Sequence, residues 1–588
     1  MEFNKVKNFT LLFAVTIILL SFSSIFSSKT CGHAWLKNKA ENSAQNKTVT
    51  KIEAKYERTD QWKEMRTHVD YSGLISKDPE ADFLTQKIKT YVIPRVMKVL
   101  AELFRVRRIK SITLNEKICD EYTIPTERYG PKNPIEADLI IFVNFDQTGE
   151  YKKNRIEGTA IHCYQDKLTN RPIVGLVTYR DDVKIKNTHD QDYLVWLTLH
   201  EITHVLIFNE DLYTGFIDKN MNKIPYKDII LEEKNKFKQP MTYVKTKNVV
   251  REARKHFGCK TLKGVPLEYN GRAAAIGGHW SRKYMNTDYM IGRSHGETLI
   301  SKITLAFFED SGWYKVDYRK SSIFFWGKNK GCHFLDKSCL KSATPLKSLK
   351  HSFIELMKKH DTKEVLTKRK YRNSVEGDLE DGVENMSVVS SVIKVESNFK
   401  KEFCEYINQP TCSTHNTFRG YCGVKEYGKT LSRKYQQFPN IKMGGFDVFM
   451  HRCPVVVEEK YGIKHYGGNC KFGSTKDLHA YEKVSMDSGC FMSSLNKELI
   501  TPTIKDVEKS AYNLEIYSIP EIINSRAACI EFTCDNSEMF IKIDGKDYLC
   551  PSNKKMSVPG YHGQVQCPDK KVMCHKKYRC KFGCTSVQ

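Results

Sequence analysis

The sequence predicts an α+β fold: a layered domain, split by a charged insertion, followed by a disulfide-rich C-terminal region of mainly irregular or β structure. Three observations point to it. The apolar, β-branched runs 137–143 and 173–179 read as buried strands. They precede the stretch Tyr193 to His204, free of Gly and Pro, whose natural reading is a helix, and strands ahead of such a helix give an α/β or α+β layered domain. The cysteines fall late: only Cys31, Cys119, Cys163 and Cys259 precede residue 330, leaving fifteen of the nineteen beyond it.

At the N-terminus, Lys5 and Lys7 precede an apolar run from Leu11 to Phe26 that ends among serines, the pattern of a secretory signal over 1–28. The alternative is an uncleaved segment that retains the protein at a membrane, for which the run is at the short end. The C-terminal Cys584–Gln588 carries no hydrophobic tail, so no C-terminal membrane anchor is expected. A secreted or luminal protein keeps its cysteines mostly paired. The net charge of +25 is spread among Glu and Asp with no arginine-rich arm, so a nucleic-acid partner is not expected. Acidic surfaces or substrates suit it better, and a monomer is expected.

Residues 29–58 are polar and short of large apolar side chains, as a propeptide would be. Folded structure is expected from near Trp62, in an N-terminal part spanning 59–208 with a first strand at 65–71. Tyr91 to Val106 shows helical spacing, and Pro94 near its start suits a first turn. Residues 209–270 are charged and irregular and read as an insertion or sub-domain. A second part spans 271–330, with an apolar helix from Ser301 ending at Gly312. Residues 331–588 form the Cys-rich region, with 362–400 an exposed linker and Cys574–Cys584 resembling a truncated small module.

The chemistry lies in His200-Glu201-Ile202-Thr203-His204. On a helix, residues four apart share a face one turn apart, so both imidazoles can reach one metal ion. Glu201, about 100° round the helix, can face the metal's open position as a general base on bound water. The bland rival is a helix with two surface histidines, because H-E-x-x-H arises by chance in roughly a few per cent of chains this long. A catalytic zinc ion needs a third protein ligand. His279, after Gly277-Gly278 and before Trp280, is the best candidate, and His295 is the runner-up. Met290 lies in a turn eleven residues beyond His279. Setting Cys31 aside leaves eighteen cysteines, enough for nine bridges. A lone thiol in a propeptide can hold a zinc site latent by taking its open position, or it forms an intermolecular bridge.

Several motifs together resemble the leishmanolysin family of metzincin zinc endopeptidases, in particular its ciliate members. They are the H-E-x-x-H helix, His279-Trp280 after a long insertion, and Met290 in Asn286-Thr287-Asp288-Tyr289-Met290. The likeness continues through Leu305–Tyr314, Trp326–Cys332, Gly420-Tyr421-Cys422, Met443–Asp447 with Cys453, and Val558–Gly563, and includes His68–Tyr71. The resemblance implies a metzincin-type domain split by the insertion. It implies one zinc ion held by His200, His204 and His279, Glu201 as general base, and Met290 as an apolar floor. It further implies Cys31 with His33 as a cysteine switch, Cys119 and Cys163 as disulfide partners, and proteins or peptides as substrates.

Two positions depart from the family pattern. Ala34 stands where an aspartate usually follows the switch histidine, and Ile207 stands where the family has a glycine that turns the chain out of the helix. A β-branched residue at positive φ would cost about 1–3 kcal/mol. The sequence therefore predicts either a helix that runs on and turns at Asn209, which tolerates left-handed backbone, or a distorted cleft. Ile207 is the support for an alternative reading, a catalytically impaired secreted adhesion or binding protein.

Overall fold

A computed structural model describes residues 50–340 and 393–574, apart from short stretches within them, chiefly 270–276, 293–297, 395–401, 459–467 and 498–525. The signal segment, Cys31, His295 and the 362–392 part of the linker lie outside the described residues, as does the side chain of Cys119. Cys163 is disulfide-bonded.

The main sheet has five strands: β1 (Thr50–Ile52), β2 (Thr67–Gly73), β3 (Leu139–Phe145), β4 (Gly158–Asp166) and β5 (Pro172–Tyr179). Their order is β1-β4-β5-β3-β2. Strands β2, β3 and β5 run parallel; β4 is antiparallel to β5, and β1 lies parallel to β4 on its outer edge. β3 and β5 are almost wholly buried, which explains their unbroken apolar sequence. Folded structure thus begins earlier than Trp62. β1 is held through its backbone, and three paired residues leave no periodicity for a sequence to display. The first strand expected at 65–71 forms as β2, and a separate short strand, Trp62–Glu64, precedes it.

Helix α1 (Ile93–Leu103) buries Ile93, Val96, Leu100 and Leu103 on one face, with Pro94 in its first turn. It ends before Val106 because Phe104–Arg107 turns into a strand paired with Tyr314–Val316. Helix α2 (Thr188–Leu206) packs on β4, β5 and α1. Gly175 of β5 makes this approach close: a Cβ there would lie 2.4 Å from Val205 Cγ1.

The stretch 209–270 is not irregular. It holds a three-stranded antiparallel sheet (Ile230–Lys234, Pro240–Val244, Val265–Pro266) and helix α3 (Lys247–Phe257). α3 ends on left-handed Gly258, with Val249, Ala253 and Phe257 buried. Its many charges lie on the outer face of elements whose inner face joins the main core. Helix α4 (Lys302–Asp310) is capped by Ser301, whose hydroxyl accepts from the Thr304 amide.

Beyond residue 400 the described chain is β-rich and stapled. Disulfides join Cys259–Cys332, Cys339–Cys453, Cys404–Cys422, Cys412–Cys490, Cys470–Cys529, Cys534–Cys574 and Cys550–Cys567. Cys574 ties back to the strand Arg526–Asp535, and the rest of the small module expected at 574–584 lies outside the described residues. Such a density of bridges fits an oxidising, extracellular compartment. Among the described residues no helix is long and apolar enough to cross a membrane.

Candidate metal centre

His200 and His204 lie one turn apart on α2. His279 arrives from a loop whose entry depends on Gly277, at φ +83; a Cβ there would lie 1.8 Å from Glu210 Oε1. The three Nε2 atoms form a near-equilateral triangle: 3.1 Å from His200 to His204, 3.2 Å from His204 to His279 and 3.2 Å from His279 to His200. All three residues are buried. Among the described residues they form a group of potential metal ligands with donor atoms within 4.8 Å of one another.

The outer nitrogens set the tautomers. His200 Nδ1 donates to the Tyr289 carbonyl at 2.6 Å, and His204 Nδ1 donates to the Phe208 carbonyl at 2.7 Å. A neutral ring that has committed its proton to Nδ1 presents a lone pair at Nε2. Burial pushes the His200 imidazole down to about 4, against the upward pull of its bond to Tyr289, so it is neutral at pH 7. The 3.1 Å between the Nε2 atoms of His200 and His204 is therefore a meeting of two lone pairs, which a cation relieves. Nitrogens at ~2.0–2.1 Å from a tetrahedral zinc ion stand about 3.3–3.4 Å apart. The residues present fit such an ion.

Glu201 is fully buried beside His200. Burial first, then the hydroxyls around them and the nearby Glu201 charge, act on Tyr151 and Tyr179, and the net effect holds both phenols well above their usual pKa. Met290 is fully buried. Its carbonyl accepts from the Trp280 amide at 2.9 Å, so the turn that holds it is tied directly to the residue after His279.

Ile207 causes no strain. Neither Ile207 nor Asn209 has a left-handed backbone: the Ile207 amide still bonds to the Thr203 carbonyl at 2.9 Å, and Asn209 is extended at φ −142. The chain leaves the helix when the Phe208 amide also turns to Thr203, at 3.0 Å. Asn209 caps the next turn, its side chain accepting from the Asp211 amide. The expected turn at Asn209 through left-handed geometry does not occur, and the described site gives no sign of the distorted cleft that was the alternative.

The backbone acceptors at Tyr289 and Phe208 carry no side-chain signal, so sequence reasoning missed them. It also missed Asp288, buried beneath the Met290 turn. Burial raises its carboxyl to about 6, although Ser301, Met290 and Thr304 hydrogen bonds pull it down.

The family model described as Leishmanolysin matches residues 43–346 and 391–580. A leishmanolysin-like peptidase of Caenorhabditis briggsae is 24% identical over 454 residues, covering 69% of this chain and 60% of that protein. Leishmanolysin of Leishmania tropica is 23% identical over 397 residues, covering 66% of this chain and 50% of that protein. A ciliated left-right organizer metallopeptidase of Xenopus laevis is 27% identical over 221 residues, covering 36% of this chain and 29% of that protein. The chain thus spans less than two thirds of the length of each of these relatives.

Proposed function

The chain belongs to the leishmanolysin family of metallopeptidases, and from that premise we propose that it is a secreted, zinc-dependent endopeptidase made in latent form. The observation that carries the reading is the triangle of buried Nε2 atoms at 3.1–3.2 Å. His200, His204 and His279 would hold one zinc ion. Bound there, it would supply Lewis acidity, bringing water into the neutral ionisation range and polarising a peptide carbonyl.

The chain's own residues do the rest. Glu201 takes the proton from the attacking water on its carboxylate and passes it to the leaving amine. The Tyr289 and Phe208 carbonyls hold two of the imidazoles in the ligating tautomer. Met290 closes the apolar side of the site. Proteins or peptides are the substrates, and Cys31 holds the site latent until the N-terminal segment is removed. The adhesion-protein alternative rested on strain at Ile207, and it loses that support.

Metal analysis of purified protein tests the ligand set: about one zinc ion per folded chain is expected, lost in His279→Ala. Unchanged zinc in that variant rules out His279 as a ligand.

A further inference from the structure

A loop of the C-terminal region reaches back into the segment that carries His279. Residues 445–453 form a tight, pinned turn. The Gly445 amide donates to the Arg452 carbonyl at 2.7 Å, and a Cβ at Gly445 would lie 2.2 Å from the Cys453 carbonyl oxygen. His451 and Arg452 both take left-handed backbone, at φ 55 and 60. The disulfide Cys339–Cys453 fixes the end of the turn. Inside it, Asp447 Oδ1 accepts from the Phe449 amide at 2.8 Å, which fixes how that carboxylate is presented.

The other carboxylate oxygen of Asp447 accepts from Arg282, three residues after His279, in an ion pair buried on both sides. From there the connection runs to the triad in two bonds. The Arg282 amide donates to Glu268 Oε2 at 3.0 Å, and the Glu268 amide donates to the His279 carbonyl at 2.8 Å. A second contact runs alongside: Tyr269 Oη meets His451 Nδ1 at 3.2 Å, with the two rings edge to face. The segment that delivers His279 is thus braced from behind by a loop more than 160 residues further along the chain.

A buried ion pair contributes little net stability, because desolvation offsets the attraction; its better-attested use is to fix one arrangement over others. The arrangement fixed here is the placement of His279, the ligand that α2 does not supply. Resting on the proposed metal-binding role of the triad, we infer that Asp447 is a positioning residue for the metal centre. Through Arg282 and Glu268 it holds His279 at ligating distance from the two helical histidines. The C-terminal region is accordingly part of the metal site's support, not an appended module.

The test measures zinc affinity of the folded full-length chain by competition with a chromophoric chelator, together with the visible spectrum of its cobalt(II) form. Asp447→Asn keeps shape and removes the charge. Loss of such a supporting partner weakens metal binding about 10–100-fold, and the cobalt bands should shift as the third nitrogen moves. If Asp447→Asn lowers only the unfolding temperature, with zinc affinity and cobalt spectrum unchanged, the ion pair is merely structural and the inference is wrong. Should that variant not fold, Arg282→Lys decides instead: it retains the charge but not the guanidinium geometry, and wild-type affinity in it overturns the inference. Wild-type protein that takes up no zinc would sink the metal-site reading itself, a result distinct from either variant's.

Discussion

The indole nitrogen of Trp280 donates to the hydroxyl of Thr304 at 2.8 Å, and that hydroxyl donates to Asp288 Oδ2 at 2.7 Å. Trp280 follows His279, and Asp288 Oδ1 accepts from the Met290 amide at 2.9 Å. One threonine on α4 therefore ties the third histidine's loop to the methionine turn, and all the groups involved are buried. Thr304→Val keeps the shape and removes both bonds. It should cost about 1–3 kcal/mol, because it leaves a buried indole N–H and part of a carboxylate unsatisfied. Chemical denaturation measures this, and an unchanged midpoint would show that the linkage contributes nothing.

Ile207 is fully buried and has ordinary backbone geometry. Restoring the family's glycine should therefore harm the protein. Ile207→Gly empties a packed site in the core and should lose at least about 2–5 kcal/mol of stability. A variant as stable as the parent, and more active, would mean that the isoleucine is strained after all.

Acid should destabilise the fold between about pH 6.5 and 4. Burial pushes the His256 imidazole down to about 4, against its bond to the Trp326 carbonyl and helped by the Lys328 charge. His162 is likewise pushed to about 4 by burial. In the unfolded chain both take up a proton near pH 6.5. The unfolded histidines then bind more protons in that window, so their contribution to stability falls as pH drops, by at most about 3 kcal/mol per histidine, and is fully lost below pH 4. Asp288 partly offsets this, because its carboxyl, raised to about 6 by burial, takes up its proton earlier in the folded state. Urea titrations at pH 7 and pH 5 check this. His256→Gln, which can still donate to the Trp326 carbonyl, should flatten the dependence, and an equally steep loss in that variant would exclude His256 as a cause.

Gly175 lets α2 sit against β5. Gly175→Val should push Val205, and with it the turn carrying His204, away from the sheet. Zinc affinity of the folded variant is expected to fall at least about tenfold, since ligands must be held within about 0.5 Å of the productive geometry. Unchanged affinity would mean the helix absorbs the displacement by repacking.

The two helical histidines were legible because the 3.6-residue period alone puts His200 and His204 on one face. The buried strands β3 and β5 were legible as unbroken apolar runs. From the residues themselves His279 stood out by its glycines and its tryptophan, spacing alone could not separate it from His295, and the family resemblance chose between them. The supporting groups left no trace. The Tyr289 and Phe208 acceptors are backbone atoms, and the Asp447–Arg282 pair spans 165 positions. The strands of the 209–270 segment misread as irregular because each buries only one or two residues among charges, and in α3 the three buried positions, Val249, Ala253 and Phe257, stand four apart among basic side chains. The strain feared at Ile207 was a property of the family's glycine, and a helix end with a π-type amide bond at Phe208 removes the need for it.

The central claim is hydrolysis with Glu201 as the base. Its most direct test is casein digestion by the zinc-loaded protein, freed of the N-terminal segment that carries Cys31, beside the same preparation of Glu201→Ala. The wild-type chain should cut casein, while Glu201→Ala should bind zinc equally and cut at least about 100-fold more slowly. Equal zinc with no difference in cutting between the two would contradict the account.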